Sequence, residues 1–110
     1  MTPIVDLPTL TELQSNAGAD FVIELVDTLV AEAPGMQAEL RAAWAEGATQ
    51  RFRRAAHSLK TNAQTFGALR LAEAARKLEL HGLPPDAAPL DELDACCHEA
   101  LAALQALAHG

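Results

Sequence analysis

Phe52, Ala56, Leu59, Ala63 and Phe66 follow one another at steps of four, three, four and three residues. That spacing keeps all five on one side of a helix and would scatter them over both faces of a strand. The stretch 53–68, reading RRAAHSLKTNAQTFGA, is therefore a helix with one side buried against other helices. At about 100° per residue the stripe centres near Leu59 and Ala63, and His57 points roughly 140° away from it. Gln50, Arg53, Lys60, Thr61 and Gln64 share the outward side with His57. A rigid rod thus holds a histidine out to solvent, with a lysine one turn further on.

The rest of the chain is suited to pack against that rod. Half of the residues are apolar, yet only Trp44, Phe21, Phe52 and Phe66 are aromatic, and alanine and leucine supply most of the remainder. Strong helix formers with few β-branched residues favour closely packed helices over a sheet. A length of 110 residues allows one domain, spanning 1–110, with one core. No apolar run approaches the roughly 18 residues that span a bilayer. Met1–Leu7 also lacks the basic start and apolar stretch of a signal peptide. The expected location is cytoplasmic, away from any membrane. Cys96 and Cys97 are the only cysteines, and adjacent cysteines imply no disulfide framework.

The net charge of −7 hides an asymmetry. Between Glu46 and Glu73 there is no acid, while Arg51, Arg53, Arg54, Lys60 and Arg70 are basic. Outside that window 15 acids face only Arg41, Arg76 and Lys77. Phosphates of a nucleic acid would be repelled over most of this surface, which excludes nucleic acid as a partner. A local basic patch around the exposed histidine points instead to an anionic group brought to that spot.

In chain order, Asp6 to Leu13 forms a short helix capped by Asp6, with Leu7, Leu10 and Leu13 as its apolar edge and a break over 15–18. A helix of about 27 residues follows from Ala19, with Phe21, Val22, Leu25, Leu29, Met36, Leu40 and Trp44 inward, kinked at Pro34-Gly35 and ended by Gly47. The third helix runs from about Ala48 to Phe66, where Gly67 stops it, and the fourth from Ala68 to His81. Residues 82–86 form the one clear loop. A last helix from Pro89 to about Ala108 turns Leu90, Leu93, Cys97, Leu101, Leu104 and Leu107 inward. Short connections between long amphipathic helices predict an all-α, antiparallel up-down four-helix bundle with a short extra N-terminal helix.

His57 is the leading functional residue. Lys60, Thr61 and Gln64 surround it without negative charge, and Glu79 on the next helix reaches the ring if the two helices pack antiparallel. There is no Gly-rich phosphate loop, no GxSxG and no paired-carboxylate pattern. The Cys96-Cys97-His98 run fits no tetrahedral zinc spacing, and Cys97 reads as a core thiol.

His57-x-Leu59-Lys60, six further residues, then Gly67-Ala68, followed by Leu71 and Leu78-Glu79, resembles the histidine-containing phosphotransfer (HPt) domain family. The likeness extends over essentially the whole chain. It implies that His57 is phosphorylated, that Lys60 balances the phosphoryl charge, and that Glu79 hydrogen-bonds one ring nitrogen, with Gln64 close by. Arg53, Arg54, Thr61, Gln64, Phe66 and Gly67 would form the partner-binding face, to which Leu69 is a further apolar candidate. The implied partners are response-regulator receiver domains or a hybrid sensor histidine kinase. The chain itself would be a monomeric carrier with no turnover alone and no cofactor of its own, Mg²⁺ coming from the receiver. One departure stands out: the family usually has glycine directly after the lysine, where this chain has Thr61, which points to altered partner preference. A kinase domain that phosphorylates His57 directly from ATP, as in chemotaxis-type kinases, is a second reading within signalling. An HPt-like module that sequesters a receiver or kinase without accepting phosphate is the reading from a different class.

Overall fold

The computed structural model describes residues 2–110, which contain five helices and no strand. They are α1 (Leu7–Ala17), α2 (Ala19–Ala45), α3 (Thr49–Thr65), α4 (Leu69–His81) and α5 (Ala88–His109). Asp6 caps α1, its carboxylate accepting the Thr9 backbone N–H at 3.2 Å and the Thr9 hydroxyl. The first helix runs four residues beyond Leu13, and Gly18 alone, at φ +93°, separates it from α2. α2 is 27 residues long and continues through Pro34. The missing proline N–H there leaves the Val30 carbonyl without its usual partner one turn on.

α2 packs on α3 and α5, and α4 packs on the same two helices, so four long helices close into a ring; α1 lies against α2. The larger core cluster fills the ring with Leu40 and Ala43 of α2, Phe52 and Leu59 of α3, Leu71 and Leu78 of α4, and Leu93 and Cys97 of α5. Alanines at 56, 63, 72 and 75 are all buried, which lets the backbones of α3 and α4 approach closely. A second cluster at one end joins Val5 and Leu10 to Val22, Val26, Leu29, Phe66 and Leu104. Polar ties hold α2 to α5 and to the loop before it. Arg41 pairs with Asp91 at 2.7 Å and Asp94 at 2.6 Å, and the Trp44 indole N–H donates to the Pro84 carbonyl at 2.8 Å.

Leu7, Phe21 and Leu107, which the periodicity places inward, are exposed. Phe21 lies in the first turn of α2 and Leu107 in the last turns of α5, the two longest helices. Helical periodicity marks a face without marking where along the helix its neighbours end, and these two residues fall in the end turns. Val26, Ala33 and Ala43 of α2 take up core positions instead.

The α3–α4 turn fixes the register of the bundle. Ala68 N–H donates to the Ala63 carbonyl at 2.8 Å and Gly67 N–H to the Gln64 carbonyl at 3.1 Å, a Schellman ending with Gly67 at φ +73°. The Gly67 carbonyl accepts the Asp6 N–H at 2.7 Å, and a β-carbon at Gly67 would lie 2.9 Å from the Asp6 carbonyl oxygen. Gly67→Ala is therefore expected to destabilise the protein by about 1–2 kcal/mol from the left-handed backbone alone, and further through the clash. Urea denaturation measures the total. Faster hydrogen exchange at the Asp6 amide would show that the N-terminal segment has lifted.

Candidate functional site

Ala56, Leu59 and Ala63 are pulled into the core, which turns His57 outward with 58% of its side chain exposed. From α4, Glu79 leans across and holds two partners. Its Oε2 lies 2.7 Å from His57 Nδ1, and its Oε1 lies 2.6 Å from Lys60 Nζ. Lys60 and Glu79 are both mostly covered, with a fifth and a quarter of their side chains exposed.

The Lys60 ammonium holds the Glu79 carboxyl below the usual carboxylate range; partial desolvation opposes this, and the bond to His57 adds to it. Glu79 is thus ionised near neutral pH, and a carboxylate can only accept hydrogen bonds. In the neutral ring His57 Nδ1 therefore carries the proton and Nε2 holds the lone pair. Because the folded-state pKa of Glu79 is depressed, the bonds it makes are in place at neutral pH. They are lost only as pH falls below the usual carboxylate range, through the lowered pKa of Glu79.

Glu79→Ala is expected to turn the single Nδ1–H tautomer into a mixture and to release Lys60. Long-range ¹H–¹⁵N spectra at a pH where the ring is neutral will read this directly. Glu79→Gln, whose amide oxygen still accepts, should retain the wild-type tautomer.

The cations of the basic window are less free than their sequence positions imply. Arg51 pairs with Glu39 at 2.6 Å and Glu46 at 3.0 Å, Arg70 with Glu99 at 3.2 Å, and Lys60 with Glu79. Among the described residues only Arg53, Arg54 and Lys77 make no ion pair, and the first two stand one turn before His57. The Arg53 guanidinium rests against Gly82 just past α4, 3.2 Å from where a β-carbon would be. Arg54, Thr61 and Gln64 are exposed around the histidine.

Phe66 and Gly67, expected on the partner face, are not available to a partner. Phe66 is 4% exposed within the second core cluster, and Gly67 is covered by the Asp6–Thr9 turn. The Asp6–Thr9 turn over Gly67, and the residues of α1, α2 and α5 clustered with Phe66, are neighbours that the local pattern of α3 cannot reveal. Leu69 is half-buried.

Apolar surface also flanks α3 on its α2 side. A groove of about 470 Å³ opens between α2 and α3, lined by Ala31, Gly35, Met36 and Ala55 with Glu32, Glu39 and Ser58 on its edges. Reading Pro34-Gly35 only as a kink missed it. The available signal was small residues, Ala31 and Gly35 on one helix and Ala55 on the next, at facing positions that leave a gap where larger side chains would fill it.

A family model for the Hpt domain matches residues 24–109, which takes in α3, α4 and the site between them. The chain belongs to the HPt domain family. No curated protein and no solved structure is similar enough to count as a match. HPt domains carry out histidine phosphotransfer in phosphorelay signalling, working with receiver domains and kinases as carriers. In this HPt bundle no helix among the described residues is long and apolar enough to cross a membrane.

Proposed function

We propose that this HPt domain accepts a phosphoryl group on His57 from a receiver-domain aspartate and passes it to a second receiver. The observation that carries the reading is an exposed His57 ring whose Nδ1 is held by an ionised Glu79 at 2.7 Å, which leaves Nε2 as the nitrogen without a partner. An orienting acceptor on Nδ1 fixes the tautomer, and it stabilises the positive charge that develops on the ring as Nε2 attacks. In the transfer a P–Nε2 bond forms and the acyl-phosphate P–O bond breaks. The aspartate leaves as carboxylate with the electron pair, and the Nδ1 proton stays between His57 and Glu79. Phosphoryl transfer rests on positioning and charge stabilisation. The Mg²⁺ that neutralises the acyl phosphate belongs to the receiver, so the HPt chain shows no turnover alone and needs no cofactor of its own.

The receiver docks with its acidic pocket on the outward face of α3, with Arg53, Arg54, Thr61 and Gln64 beneath it and the α2–α3 groove beside it. Thr61, where the family has glycine, brings a β-branched side chain to the rim of that interface. It selects among receivers without closing access to Nε2. The domain works as a cytoplasmic monomer of one antiparallel up-down bundle spanning residues 1–110.

The deciding experiment incubates the protein with a phosphorylated receiver and Mg²⁺. Label that moves to the HPt chain supports the relay. Tight binding without transfer would replace it with sequestration, and labelling only when a kinase and ATP are supplied would make it a direct kinase substrate.

A further inference from the structure

We propose that Arg54, and not Lys60, is the cationic contact to the phosphoryl group on His57 Nε2. The inference deepens the reading of His57 as the acceptor and rests on it. Lys60 Nζ is engaged by Glu79 at 2.6 Å on the α4 side of the ring, the side to which Nδ1 is turned. The two ring nitrogens lie on opposite edges of an imidazole. With Nδ1 on Glu79, the Nε2 edge is turned away from α4.

Helical geometry puts Arg54 on that side. It stands three residues before His57, about 60° round the axis in the direction of Ser58 and Ala55, which line the α2–α3 groove. Arg53 and Lys60 lie about 40° and 60° round in the other direction, and both meet α4, through Gly82 and Glu79. Side chains of an α-helix lean toward its N-terminus, so the His57 ring lies over the turn that carries Arg54. Arg51 also faces α2, but Glu39 and Glu46 hold it. Arg54 is exposed and makes no ion pair among the described residues, so it can close on a dianion without giving up a partner. A guanidinium can also bind two phosphoryl oxygens at once, which an ammonium does less well.

Phosphoramidate tests this without any receiver. Its P–N bond breaks, ammonia leaves with the electron pair, and a P–Nε2 bond forms on His57. The rate is read by ³¹P NMR, with His57→Gln as the blank for the exposed His81, His98 and His109. Arg54→Gln is expected to slow P–Nε2 formation on the order of tenfold, the size of one charge-assisted hydrogen bond. Arg54→Lys should recover part of that rate, and Lys77→Gln should match wild type. A melting curve for Arg54→Gln that overlays wild type shows the fold intact. An unchanged phosphoramidate rate in Arg54→Gln overturns the proposal. If the receiver reaction alone is slowed, Arg54 is a partner contact and the relay reading stands. If Arg54→Gln slows phosphoramidate while wild type takes no label from a phosphorylated receiver, the contact is real and the relay reading is the one that fails. A tenfold loss in Lys60→Gln with none in Arg54→Gln would return the role to the lysine.

Discussion

His57→Gln is expected to abolish phosphoryl acceptance from a phosphorylated receiver while leaving the bundle folded. Glutamine has no nucleophilic nitrogen, so no P–N bond can form at this position. The substitution removes no core contact, because His57 is more exposed than buried and points away from Leu59 and Ala63. What is lost is one bond to Glu79, and that carboxylate keeps Lys60 at 2.6 Å. Stability should therefore change by no more than about 0.5 kcal/mol, the usual range for a surface position. Three measurements separate chemistry from folding: label transfer, thermal melting, and binding of the unphosphorylated receiver. Label lost with melting and binding preserved fits an acceptor. Label retained would move the acceptor to His81, His98 or His109, each of which is exposed.

Phe52→Ala carries the largest expected effect on stability, a loss of about 3–5 kcal/mol. Phe52 is the largest fully buried side chain, with 0% exposure, near the start of α3 in the core cluster that all four long helices share. Its removal forfeits the transfer free energy of a benzyl group and leaves a cavity that the surrounding core can fill only partly. Domains of this size are stable by about 5–15 kcal/mol in total, so the variant will be marginal. Urea unfolding will show this as a lower midpoint with an unchanged slope, provided the denatured state is unaltered. A loss under about 1 kcal/mol would mean that α3 is not packed as described. The positioning of His57 would then be in doubt as well, since the same buried stripe sets both.

How much of the site was legible depends on the range of each interaction. The orientation of His57 is a property of one helix, fixed by Ala56, Leu59 and Ala63 within seven residues of it. Gly67 as a helix stop is equally local, because a left-handed residue after the last turn satisfies that helix's own carbonyls. Glu79 was found through an assumption about the neighbouring helix, and the structure supplies the second partner, Lys60, that the assumption did not include. Phe66 was expected at the partner face because it ends the stripe, where the pattern of one helix does not say what lies beyond; the structure packs it among Val5, Leu10, Val22, Val26, Leu29 and Leu104.

Five amphipathic helices, the outward histidine and the breaks between elements are written in the order of residues alone, because helical periodicity and capping are short-range physics. Which cations stay free around that histidine is not, because Arg51, Lys60 and Arg70 are neutralised by carboxylates on other helices or beyond a turn. Pairing across a bundle depends on which helix faces which and at what height. Only the packed tertiary structure decides that Glu79 holds both His57 and Lys60 and leaves Arg54 unpaired beside the ring.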